Sequence, residues 1–166
     1  MRAQDEQFRQ YVLVTQRRLI RLADMLTGDH ARAEDLVQQA YVKTYLNWHR
    51  VRAQDPEAYT RAIIVNANVD WWRRRSAHER LDAAPPDRPH AHDPTAEIDQ
   101  RDEVMRALAL LTRRERAVVV LKYYCDLPEQ AIATELGCAL GTVKSTAARA
   151  LSKLKGTLVY RPEVRL

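Results

Sequence analysis

The chain has 166 residues, 46% of them apolar and 30% charged, with only four glycines and a net charge of +5. That length holds one ordinary domain or two small ones and falls short of a TIM barrel, which takes about 250 residues, while the scarcity of glycine argues against a loop-rich β protein or a glycine-rich nucleotide fold. The apolar runs Ala62–Val65 and Ala117–Leu121 are far below the roughly 20 residues that span a bilayer, and Met1–Glu6 has no apolar stretch behind it, which predicts no signal peptide, no membrane insertion and a cytoplasmic chain.

Charge is unevenly spread. Residues 1–75 carry a net +4, residues 76–98 a net −3 and residues 99–166 a net +4. Two basic blocks around an acidic stretch suggest two polyanion-facing modules on a tether. Cys125 and Cys138 are the only cysteines and lack zinc-ligand spacing, so both read as small apolar residues in or near a core.

In chain order, the first helix is expected from about Glu6 to Leu26, with Phe8, Val12, Leu19, Leu22, Ala23 and Leu26 on one face. Thr27-Gly28-Asp29 ends it, with Gly28 suited to a left-handed terminus. The second runs from about Ala31 to Trp48 with a stripe of Ala33, Val37, Ala40, Tyr41 and Trp48. Asp55 is a natural N-cap and Pro56 a natural first residue for the third, which ends at Arg73-Arg74-Arg75. Apolar residues surround the middle of that helix, so it is expected to be largely buried. Ser76–Ile98 reads as a linker. It holds Pro85, Pro86, Pro89 and Pro94 and five acidic side chains, and no helix is expected to cross it. Its histidines (His78, His90, His92) lack metal-site spacing.

Four helices are expected beyond the linker. The first covers about Asp99–Leu111. Thr112-Arg113-Arg114-Glu115 is a capping box that opens the next, which runs to about Tyr124. Pro128 opens a third that stops at Gly137, and the fourth covers about Gly141–Leu158. No strand-period alternation occurs, so the fold class is all-α: two small helical domains joined by a flexible, proline-rich acidic linker, with domains at 1–75 and 99–160 around the linker at 76–98.

The last two helices, separated by Cys138-Ala139-Leu140 and anchored by Ile132, Leu136, Val143 and Leu151, fit a helix-turn-helix. In that geometry the N-terminal half of the second helix enters the major groove. Lys144, Ser145, Ala148 and Arg149 share one face there, and an arginine can contact guanine bidentately. Small Ala147 and Ala148 are expected to let the helix approach DNA closely. Residues 141–166 carry six cations against one acid, an electrostatic footprint for DNA. An ordinary helical hairpin with a solvated basic face remains the plainer alternative. The chain shows no phosphate loop, metal triad or nucleophile–base pairing, so neither an enzyme nor a cofactor is expected.

Four blocks in this order resemble the sigma-70 family of RNA polymerase sigma factors. Ala33-Glu-Asp-Leu-Val-Gln-Gln-Ala-Tyr41 is similar to region 2.2. Ala58-Tyr-Thr-Arg-Ala-Ile-Ile-Val-Asn66, with Asp70 and Arg73–Arg75, looks like regions 2.3 and 2.4. Leu111-Thr-Arg-Arg-Glu-Arg-Ala-Val-Val-Val-Leu121 looks like region 4.1, and Gly141-Thr-Val-Lys-Ser145 with Arg149 like region 4.2. A σ2-like bundle of three to four helices, a short linker and a σ4-like domain is the order of the extracytoplasmic-function group, and the wording of the blocks looks most like its actinobacterial SigE-type branch. The resemblance implies a subunit that binds core RNA polymerase at the β′ clamp and β flap, reads −35 and −10 promoter DNA and helps to melt it, with an anti-sigma factor as a further partner. By similarity Asp35, Gln38 and Gln39 meet the polymerase clamp. Asn66, Asp70, Trp71, Arg73 and Arg74 serve the −10 element, where Val51–Pro56 and the start of the third helix are candidates for a pocket holding a flipped base. Of the adjacent Trp71 and Trp72, one is expected outward and the other in the core. The linker would thread the polymerase cleft. The chain departs from the family pattern at Gln39, Ala131, Ala139 and Ala148. The competing reading is a stand-alone helix-turn-helix regulator with residues 1–75 as a dimerisation or ligand module.

Overall fold

The computed structural model describes residues 3–79 and 98–155. Most of the expected linker, residues 80–97, and the tail from residue 156 onward lie outside the described residues. The chain divides into two compact units between Asp82 and Ala83. All regular structure among the described residues is helical.

The first unit contains α1 (Ala3–Thr27), α2 (His30–Leu46), the single turn α3 (Trp48–Val51) and α4 (Pro56–Glu79). Leu19, Leu22, Ala23 and Leu26 of α1 bury against Ala33, Val37 and Ala40 of α2, and Ile64 and Val65 of α4 complete the core. Gly28, at φ 68°, ends α1. The carboxylate of Asp29 then accepts from the Arg32 N–H at 3.2 Å and starts α2.

A second layer of this core is polar. Thr60, with no exposed surface, has its hydroxyl 2.6 Å from the Tyr11 phenol and 2.9 Å from the Thr44 hydroxyl, and donates to the Pro56 carbonyl at 2.8 Å. Thr15 and Tyr41 pair at 2.8 Å. Burial pushes the Tyr41 phenol up to about 12. The rings of Tyr45 and Trp48 stand 5.0 and 5.1 Å from that of Phe8, so aromatic packing closes the end of the unit.

Two helix C-termini in this unit, those of α2 and α4, differ from the sequence expectation. The second helix stops at Leu46, because the Asn47 side chain donates to the Lys43 carbonyl at 2.9 Å and the backbone leaves the helical region. Trp48 therefore opens α3 and is 4% exposed. At the other end, α4 continues through Ser76 and Ala77 to Glu79, into the stretch where no helix is expected, since no proline interrupts it before Pro85.

The second unit contains α5 (Ile98–Ala109), α6 (Arg113–Val119), a π-helical turn (Val120–Tyr124), α7 (Glu129–Leu136) and α8 (Leu140–Lys155). The sequence predicts one regular helix to Tyr124. Instead the ladder widens, with Cys125 N–H reaching the Val120 carbonyl five residues back at 3.2 Å. Ala117, Val118, Val119, Val120 and Leu121 are all buried, five in succession, more than one face of a regular helix can hide. Gly137 at φ 62° closes α7, and Cys138 N–H returns to the Ala133 carbonyl at 3.0 Å. Ile132 and Leu136 of α7 then pack on Val143, Ala147 and Ala150 of α8.

Candidate nucleic-acid interface

α8 separates into two faces. Val143, Thr146, Ala147 and Ala150 are buried, and Lys144, Ser145, Ala148 and Arg149 are exposed together. Ala147, expected to help the helix approach DNA, is only 4% exposed and belongs to the core, so Ala148 alone leaves the outer face low. The outer polar groups rest on their own helix. Ser145 Oγ donates to the Thr142 carbonyl at 3.1 Å, and the Arg149 guanidinium to Thr146 Oγ1 at 3.3 Å. These weak local bonds are easily exchanged for a ligand.

The base of α8 is fixed by a group the sequence reading used only as a cap. Thr112 Oγ1 accepts from Glu115 N–H at 3.2 Å, and Glu115 Oε2 accepts from Thr112 N–H at 2.9 Å. The same Oε2 accepts from the ammonium of Lys153, 38 residues away, at 2.8 Å. Burial pushes the Glu115 carboxyl up, but Lys153 and the Thr112 N–H outweigh it and hold the group below its usual value. The capping box thus also ties α6 to α8.

On α4, Asn66, Asp70, Arg73 and Arg74 are all exposed. At about 100° per residue they span about 100° of arc on one side of the helix. Arg74 Nε leans on the Asp70 carbonyl at 3.4 Å. Trp71 and Trp72 do not divide into one outward and one core side chain. Both are half-buried, because α4 has passed its last buried residue at Asn68. The Arg32 guanidinium lies 3.4 Å from the centroid of the Trp71 ring, and that of Arg75 lies 5.0 Å away. Arg32 also donates to Asn68 Oδ1 at 2.6 Å. Neither Arg32 nor Asn68 was singled out from the sequence. Their link spans 36 residues, and no spacing rule signals it.

The start of α4 is set by Asp55, whose carboxylate accepts from Ala58 N–H at 2.9 Å. An open depression of about 410 Å³ adjoins this turn, lined by Tyr11, Val14, Asp55 and Pro56 among others. On α2, Asp35, Gln38 and Gln39 are exposed, opposite buried Leu36, Val37 and Ala40. Gln38 also borders an open groove of about 680 Å³ between α1 and α2, lined by Phe8, Val12, Val37 and Tyr41. Leu13, Val14, Val42 and Leu46 are exposed apolar residues on these two helices. Among the described residues, no cluster of His, Cys, Asp and Glu could hold a metal, and no helix is long and apolar enough to cross a membrane.

Residues 12–78 match sigma-70 region 2, and residues 101–154 match sigma-70 region 4. The chain belongs to the sigma-70 family. Within it, the chain is 35% identical over 156 residues to the RNA polymerase sigma-E factor of Streptomyces coelicolor, covering 93% of this chain and 88% of the relative. It is 34% identical over 148 residues to the ECF RNA polymerase sigma factor SigL of Mycobacterium tuberculosis H37Rv, covering 84% and 82%. Among solved structures, the sigma factor RpoE of Bartonella quintana, crystallised with the anti-sigma factor NepR, matches with a TM-score of 0.75 at 26% identity, over 94% of this chain and 99% of that one. This sigma factor therefore has the extracytoplasmic-function arrangement, region 2 followed by region 4 with only residues 79–100 between them, and the curated relatives it resembles include actinobacterial sigma-E and SigL factors.

Proposed function

We propose that this sigma factor binds core RNA polymerase, directs it to −35 and −10 promoter elements and promotes melting at the −10 element, with no catalytic chemistry of its own. The observation that carries the reading is the outer face of α8. Lys144, Ser145 and Arg149 stand exposed around the small Ala148 on the second helix of a helix-turn-helix whose other face is fully packed. A basic, low-profile helix face is what a major groove accepts. Arg149 is assigned to a base edge and Lys144 to phosphate or guanine.

The exposed arc of Asn66, Asp70, Arg73 and Arg74 is assigned to the −10 element. Asn66 supplies both a donor and an acceptor for an unstacked base, and the arginines supply cations for the backbone. The depression beside Asp55–Pro56, ten residues before Asn66 on α4, is the candidate pocket for a second base, flipped out of the same strand. Asp35, Gln38 and Gln39 are assigned to the β′ clamp of the polymerase. Exposed Val42 and Leu46, on the same face of α2, suit a protein partner better than solvent. Region 4 would meet the β flap, and the acidic stretch between the units would follow the polymerase cleft. This division gives a polymerase- and −10-binding part in residues 1–75 and a −35-binding part in residues 99–160. Polymerase binding places the protein in the cytoplasm, and the complex of the RpoE relative with NepR supports an anti-sigma protein as a second partner.

The test is reconstitution with purified core RNA polymerase and run-off transcription on fragmented genomic DNA, with mapping of 5′ ends. Discrete new start sites that share spaced −35 and −10 elements support the proposal. No stable complex and no new start sites would reject it in favour of a stand-alone regulator.

A further inference from the structure

Asp70, Arg73 and Arg74 lie on a part of α4 that has outrun the core. Ile64, Val65 and Asn68 are the last buried side chains of the helix, and none of the side chains described from Val69 to Ala77 is fully buried. A helix end of this kind frays and twists unless something outside it holds it. Arg32 does so from another helix. Its backbone is fixed in the first turn of α2 by the Asp29 cap, so its side chain starts from a defined point.

From there the guanidinium makes two contacts that bracket Asp70. One N–H group donates to the amide oxygen of Asn68, 1% exposed, at 2.6 Å. The Cζ of the same group lies over the Trp71 ring, 3.4 Å from its centroid, close enough for stacking. A guanidinium suits this double task because it is planar and carries forked donors, whereas an ammonium can form the hydrogen bond but cannot lie flat on a ring. Asn68 and Trp71 are three residues apart and face the same neighbour, so holding both fixes the rotation of the turn between them. α2 is also the helix that carries Asp35, Gln38 and Gln39.

We propose that Arg32 is a positioning residue for −10 recognition: by gripping Asn68 and Trp71 it holds the Asp70–Arg74 turn of α4 at a set angle to the polymerase-facing helix α2. The proposal rests on the assignment of Asn66, Asp70, Arg73 and Arg74 to the −10 element. Arg32 itself touches no base in this scheme. Its effect is on the geometry with which the neighbouring turn meets the strand.

The experiment uses holoenzyme assembled from the full chain and core RNA polymerase. Two DNA probes are taken from a promoter mapped by run-off transcription: a forked fragment with its −10 element already single-stranded, and a duplex carrying only the −35 element. Arg32→Ala is expected to weaken forked-DNA binding about tenfold, as loss of a stacked, hydrogen-bonded guanidinium allows. Affinity for core polymerase and for the −35 duplex should stay within about twofold of wild type. Arg32→Lys, which keeps the charge and the reach to Asn68, is expected to fall between, and it carries the test if Arg32→Ala does not fold. An equal loss on all three measurements would mean general damage and overturn the proposal. Undiminished forked-DNA binding by Arg32→Ala, or full rescue by lysine, would also overturn it. Asn66→Ala separates the two levels. If it weakens forked-DNA binding while both Arg32 variants are silent, only the positioning role fails. If it too is silent, the −10 assignment fails first.

Discussion

Glu115→Gln isolates one charge. A single oxygen, Oε2, accepts from Thr112 N–H at 2.9 Å and from Lys153 Nζ at 2.8 Å, and a glutamine oxygen can accept both bonds in the same place. The substitution therefore keeps the shape and removes the negative charge. A charge-assisted hydrogen bond is about twice as strong as a neutral one. The Glu115 side chain is 6% exposed but Lys153 is 45% exposed, so solvent screens part of the gain. The expected loss is about 1 kcal/mol, and about 2 kcal/mol for Glu115→Ala, which also abolishes the reciprocal cap. For a helical unit of this size, 1 kcal/mol lowers Tm by roughly 4–8 °C.

The pH dependence has a definite sign. The folded-state carboxyl lies below its ordinary value of 4.5, so the charge stabilises the fold above that value and stops doing so as pH falls through the folded pKa. The Tm gap between wild type and Glu115→Gln should be constant at pH well above 4.5 and narrow progressively as the pH falls below it. Circular dichroism melts across that range measure it, and hydrogen exchange in peptides from α6 and α8 localises it. A gap that persists undiminished at pH 3, or no gap at pH 7, would refute the role assigned to the charge.

Four further outcomes are expected. Arg149→Ala should reduce discrimination at one −35 position by about 1–3 kcal/mol in binding to substituted promoter fragments, with stability unchanged because the side chain is exposed. Asp35→Ala should weaken the complex with core polymerase in a titration and leave Tm in place, since the carboxylate lies on the solvent side of α2. Thr60→Val should destabilise by about 1–2 kcal/mol in denaturant titration, because Tyr11 and Thr44 each lose a bond but keep another, to the Pro56 carbonyl at 3.0 Å and the Ala40 carbonyl at 2.8 Å. Ala139→Ser should add about 1 kcal/mol to stability: Ala139 precedes α8 and its carbonyl already accepts from Thr142 and Val143, but it has no side-chain oxygen for the remaining N–H groups. Thermal unfolding checks the last.

What the sequence made legible was local. Thr112 and Glu115 announce a capping box by their spacing, and the box is present. Gly28 and Gly137 announce helix ends, and both adopt positive φ. α8 was readable because its apolar and basic positions follow one period. Features built across the chain were not readable. The Lys153 that completes Glu115 and the Arg32 that seats Asn68 and Trp71 sit 38 and 36 residues from their partners, with nothing in the intervening spacing to connect them. Ala147 and Ala148 are the same residue type, but Ala147 lies four after buried Val143 and Ala148 four after exposed Lys144, so the period of the helix separates them. Trp48 fitted the stripe of α2 well enough to hide the break at Asn47.

The π-helical turn at Val120–Tyr124 has a bearing on length. It contains one residue more than a regular turn would need. Relatives that lack the extra residue would continue as a plain α-helix, with everything beyond the missing position turned by about 100°. Sequence matching that ignores the wide turn would then pair residues from opposite faces. Lys122, which here meets Glu129 at 2.7 Å, would be equated with a position pointing elsewhere. A gap placed inside 120–124, rather than in the following loop, is the alignment this backbone calls for. Deleting a residue there is also the natural way to re-aim the start of α7, and with it α8, without touching a single side chain on the outer face of α8.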